Sequence, residues 1–234
     1  MPRKLPAFET VFRAMFGGVK LAYEHLGLTA LHSAIWFILH SPLWFALLTA
    51  LDNLPQPGAK EGAAVPWGPV VFGILVAGAL LAAPANAAML HVANLAREDE
   101  ARIRDFFLGF KRFFLRSAGV YGSYILLVVL LIVNMTAAAR MPSILGKFSL
   151  AISLYALIFV LLVSNHLFPL IVLQPQNTWR KVWKKAFLLT LDNGLLTVVL
   201  SVLTLILYGI SAVLGILLVL YFPAAIGYGH VLFF

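Results

Sequence analysis

The apolar positions of this chain come in long runs, broken by short basic segments. Residues 187–234 carry a single formal charge, Asp192. As one helix that stretch would extend about 70 Å at 1.5 Å per residue. A bilayer core is only about 30 Å thick, so the stretch predicts two spans, turning near Tyr208-Gly209-Ile210-Ser211. The same pattern upstream gives six candidate spans in all: 26–50, 68–95, 118–139, 148–173, 186–208 and 210–233. The fold class expected is all-α, a polytopic membrane helix bundle forming one domain over residues 1–234.

The polar segments carry a second periodicity. Phe8, Val11, Phe12, Met15 and Phe16 recur at the three- and four-residue steps that place side chains on one helical face. Trp179, Val182, Trp183, Ala186 and Phe187 repeat that spacing. Ile103, Phe106, Phe107, Phe110, Phe113 and Phe114 fill a longer stripe, with Arg102, Asp105, Arg112 and Arg116 opposite. Each is read as a cytoplasmic amphipathic interfacial helix, with aromatics at the acyl boundary and cations at the headgroups. The cations expected to contact anionic headgroups or a partner are Arg102, Arg104, Lys111, Arg112, Arg116, Arg180, Lys181, Lys184 and Lys185.

Each such helix precedes a helical hairpin, which suggests three repeats at 1–96, 97–174 and 175–234. The returning spans contain Pro84, Pro169 and Pro223, expected to kink them. Two repeats share more: Pro84-Ala85 precedes His91-Val92 at the offset by which Pro223-Ala224 precedes His230-Val231. Chance likeness in an Ala/Leu-rich chain competes with true repetition.

Charge adds a direction. Fourteen of the seventeen Lys and Arg residues lie in the N-terminal segment and the linkers 97–116 and 175–185. Lys60, Arg140 and Lys147 are left for the alternate loops. By the positive-inside bias the N-terminus and both basic linkers are cytoplasmic, in a bacterial inner membrane. The +8 formal charge does not call for nucleic acid, because the basic residues flank spans and suit lipid headgroups. With 11% charged residues and no cysteine, the chain has no hydrophilic stretch long enough for a soluble domain and no thiol chemistry.

Polar groups inside the spans are the remaining candidates for chemistry. Asn86, His91, Asn165, His166 and Asp192 are taken as a candidate polar cavity. Each has a structural rival: histidines and asparagines also bond neighbouring helices, and Asp192-Asn193-Gly194 reads better as a capped break between the amphipathic helix and the span. His32 and His40 lie on the first span without metal-ligand spacing, so no metal and no cofactor is expected. Glu98-Asp99-Glu100 fits the start of the next helix, with Asp99 as cap, better than paired catalytic carboxylates. Phosphate-loop, serine-elbow and zincin motifs are absent, so the chain reads as a non-enzyme.

The run from Pro84 to Met89, Leu95 to Glu100 and Arg104 to Phe114 resembles the YesL-type family of bacterial integral membrane proteins. Trp36 to Pro42 is similar to that family's Trp-rich, Pro-ended segment, and Arg180 to Leu191 to its second cytoplasmic linker. His40 and Gln174-Pro175-Gln176-Asn177 depart from the pattern. The resemblance implies an accessory role beside a carbohydrate uptake system and brings no catalytic residues. The first expectation is therefore an accessory or scaffold protein, docking lipid, a permease complex or another copy of itself. The alternative is a small-molecule or ion transporter with a path between the proline-bearing helices. A lipid-acting enzyme using His91 and the acids near residue 100 is the third.

Overall fold

The structure is a computed structural model and describes residues 7–52, 67–98, 100–213, 215 and 221–233. Nine α-helices are described: α1 (Ala7–Glu24), α2 (Leu26–Asp52), α3 (Trp67–Ala77), α4 (Ala83–Ala96), α5 (Ile103–Ala139), α6 (Ile144–Leu173), α7 (Trp179–Asp192), α8 (Gly194–Val213) and α9 (Phe222–Phe233). A π-turn, Gly78–Ala82, joins α3 to α4 without breaking their course. Among the described residues, four segments are long and apolar enough to cross a membrane: Leu26–Ala46, Val71–Ala96, Ile103–Ala139 and Ile144–Leu173. A fifth is added if α7 and α8 count as one bent unit. The outer faces suit lipid: Leu126, Leu130 and Val133 of α5 and Phe148, Ile152 and Tyr155 of α6 are all exposed.

Six unbroken spans is not what the helices show. The stretch 186–208 is interrupted at Asn193, where α7 and α8 meet at 98°. Asn193 and Thr197 make the hydrogen bonds at that corner: Asn193 N–H donates to the Leu189 carbonyl, and Thr197 returns its N–H and hydroxyl to the Asn193 carbonyl. Asp192 is exposed at the last position of α7. No turn occurs at Tyr208 to Ser211 either, because α8 runs on to Val213. A reversal after it was expected, and Gly215, at φ +53°, holds the left-handed conformation that glycine tolerates best. α9 has 12 residues, about 18 Å, too short to cross a bilayer alone.

The linker 97–116 is not a separate interfacial helix. α5 is continuous over 37 residues, about 56 Å. Its buried face keeps one phase throughout: Phe106, Phe113, Val120 and Tyr124 are buried, so nothing favours a break near Ser117. The helix starts at Ile103 with Arg102 as cap, whose backbone N–H donates to the Asp105 carboxylate at 2.7 Å. Asp99, the expected cap, lies outside the described residues.

α1 and α7 are distinct helices as expected, but each turns part of its stripe inward. In α1, Val11 and Met15 are buried while Phe12 and Phe16 stay exposed. In α7, Val182 and Ala186 are buried while Trp179 and Phe187 are exposed. α1 runs antiparallel along α9, and a side chain at Gly18 would strike the Gly229 backbone, so the two helices touch through their glycines. The Tyr221 hydroxyl donates to the Val19 carbonyl at 2.6 Å and fixes the far end of the pair.

Proline is placed with less disruption than expected. Pro84 stands in the first turn of α4, directly after the π-turn, and Pro223 in the first turn of α9. A first turn has no intrahelical use for the missing N–H, which suits Pro223; Pro84 lies inside the continuous course of α3 and α4, where the π-turn directly before it accommodates a residue without an N–H. Pro169 is inside α6, as Pro42 is inside α2.

Candidate functional site

Six helices converge on a cavity of about 360 Å³. α2 contributes Trp36, α4 Asn86, α5 Tyr121 and Tyr124, and α6 Ser164, Asn165 and Pro169. α8 adds Thr204 and Tyr208, and α9 adds Pro223 and His230. Of the five polar residues expected to share a cavity, only Asn86 and Asn165 line it. His91 is wedged between α4 and α5, its ring edge-on to Phe113 at 5.6 Å and pressed against Gly109. His166 is buried and paired with the Thr197 hydroxyl at 2.9 Å. Asp192 sits at the α7–α8 corner.

The orientation of the lining amides is fixed by partners that have only one possible role. The indole N–H of Trp36 can only donate, and it lies 2.6 Å from Asn86 Oδ1. The Asn86 carbonyl oxygen therefore faces Trp36. His40 backs the indole, stacked on it with ring centroids 3.7 Å apart and its Nδ1–H donating to the Trp36 carbonyl at 2.8 Å. His40 thus positions Trp36, and through it Asn86.

Asn165 is fixed in the opposite sense. Its amide nitrogen donates to the Leu162 carbonyl at 3.1 Å and to Ser201 Oγ at 2.8 Å. Ser201 spends its own proton on the Thr197 carbonyl. On α9, His230 Nδ1 lies 2.9 Å from the Ile226 carbonyl, which can only accept, so that nitrogen carries the proton.

No protein-family model, curated protein or solved structure matches this chain.

Most of what completes the cavity was present in the sequence as a fainter signal. Thr197, Ser201, Thr204 and Tyr208 are spaced 4, 3 and 4 residues apart, a polar stripe on one face of an otherwise apolar helix. His230 stood out only as the counterpart of His91 seven residues past a proline. The two part company because His91 packs against Gly109 and Phe113 of α5, whereas His230 faces the cavity.

The expected cationic collar is mostly exposed: Arg102, Arg104, Lys111, Arg112, Arg180, Lys181, Lys184 and Lys185 all are. Arg112 and Arg180 also lie over the rings of Phe113 and Trp179, at 5.4 and 5.6 Å. Arg116 belongs elsewhere. Its guanidinium donates to the Gln174 carbonyl at 3.0 Å and to the Pro175 carbonyl, tying α5 to the end of α6. Lys185 reaches the same loop through Gln174 Oε1 at 2.6 Å.

Proposed function

We propose that this protein takes a small polar solute into the bundle and works as a small-molecule transporter of the bacterial inner membrane. The observation that carries the reading is convergence: amide, hydroxyl and imidazole groups from α4, α6, α8 and α9 meet in one cavity inside an apolar bundle. Intramembrane polar groups gathered on a cavity mark a solute path more often than a packing contact. The cavity volume also falls within the range of small-ligand pockets. Membership of the YesL-type family, with a role beside carbohydrate uptake, belongs to the same proposal.

The test uses the full-length protein in nanodiscs, titrated with glycerol, myo-inositol, urea, choline and phosphate while thermal unfolding is followed. At least one probe is expected to raise Tm in a saturable way and to cross reconstituted liposomes faster than empty ones. No binding and no flux from any probe would overturn the reading.

A second role is favoured by α7, which presents Trp179, Arg180, Lys181 and Lys184 outward on one short helix bent 98° from α8. That surface suits anionic headgroups or a permease partner. The same reading sets the orientation, with basic linkers inside. The absence of cysteine makes labelling clean. In intact cells Arg140→Cys is expected to react with an impermeant maleimide, and Lys111→Cys only after lysis. The reverse pattern would invert the topology.

A further inference from the structure

We infer that the cavity selects an uncharged solute bearing hydroxyl or amide N–H donors, through a donor and acceptor arrangement locked before the solute arrives. This deepens the solute-binding proposal and rests on it. The argument follows from which atoms of three side chains are already spent.

Asn86 has given its carbonyl oxygen to Trp36, so its Nδ2 keeps two N–H donors for the cavity. Asn165 has committed its nitrogen to Leu162 and Ser201, so its Oδ1 keeps its lone pairs. His230 has committed Nδ1–H to its own helix, which leaves Nε2 as a bare acceptor. None of these three remaining atoms is sealed without a partner in the packed interior, as the Thr204 hydroxyl beside them is.

The wall on α4 therefore donates, and the walls on α6 and α9 accept. A solute filling that space must offer an acceptor to Asn86 and donors to Asn165 and His230. Hydroxyl and primary amide groups do both. Among the described residues the lining holds no Asp, Glu, Lys or Arg, so nothing balances a formal charge carried into it. An anion would meet the lone pairs of Asn165 and His230. A quaternary ammonium ion has no N–H or O–H to give them. A site built to bond hydroxyl or N–H groups rejects isosteres that lack them, because its own polar atoms are then left unpaired.

The experiment needs no mutation, so misfolding cannot obscure it. Wild-type protein in nanodiscs is titrated calorimetrically with urea and tetramethylurea, with glycerol and its trimethyl ether, and with myo-inositol, sulfate and tetramethylammonium. A neutral donor-bearing probe is expected to bind, and its methylated counterpart at least tenfold more weakly. Equal affinity for a methylated partner, or binding of sulfate or tetramethylammonium alone, would overturn this inference while leaving a solute site in place. No binding by any probe would remove the underlying proposal instead.

Discussion

Asn165→Leu is expected to abolish solute binding while leaving the protein folded. The side chain makes two hydrogen bonds, to Leu162 and Ser201, each with a net value of about 1 kcal/mol. Ser201 keeps its own bond to the Thr197 carbonyl, so no hydroxyl proton is orphaned by the change. Leucine returns part of the lost energy by filling apolar space beside Phe168 and Pro169, neighbours in the cavity lining. Tm should therefore move by only a few degrees. Solute affinity should fall at least tenfold, since the acceptor on α6 disappears and the cavity shrinks. Tm and calorimetric titration on the same nanodisc sample separate the two effects. Unchanged affinity would mean that α6 does not contact the solute.

The second large effect falls on stability. Arg116→Leu is expected to cost about 2–3 kcal/mol, because hydrogen bonds from a charged donor are worth about 1.5–3 kcal/mol each and this group is partly open to solvent. The carbonyls of Gln174 and Pro175 lie at the C-terminus of α6, where the helix dipole also favours a cation. For a chain of this size the loss corresponds to a Tm fall of roughly 5–10 °C. Arg116→Lys should recover part of it, as one ammonium cannot serve both carbonyls with the geometry of a guanidinium. A substitution with no thermal effect would return Arg116 to the exposed collar, where the charge pattern alone placed it.

That contrast between Arg116 and its neighbours shows where pattern reading stops. Hydropathy and spacing give the helical class and apolar segments at 26–50, 68–95 and 148–173 that lie close to the observed ones, but they send the stripes of α1 and α7 to the lipid, whereas Val11, Met15, Val182 and Ala186 turn inward. They fail at the junctions. The change from basic to apolar near residue 117 suggests a boundary, yet Phe106, Phe113 and Val120 share one buried face and α5 runs straight through. The apolar composition of 186–208 suggests one span, but the break legible in Asp192-Asn193-Gly194 is there, and only the structure shows that it bends the chain by 98°.

The sequence by itself determined the solvent of this protein. Long uncharged segments cannot be hydrated at acceptable cost, so composition alone marks out several helices long and apolar enough to cross a membrane. Only the tertiary structure decided which polar side chains meet. His91 and His230 occupy equivalent places after a proline, but one packs against Gly109 and Phe113 of α5 while the other shares the cavity wall with Asn165. Which atom of Asn86, Asn165 and His230 remains unspent depends on Trp36, Ser201 and the Ile226 carbonyl. The Trp36 and Ser201 partners lie on other helices, 50 and 36 residues away in the chain, and no local pattern encodes contacts of that range.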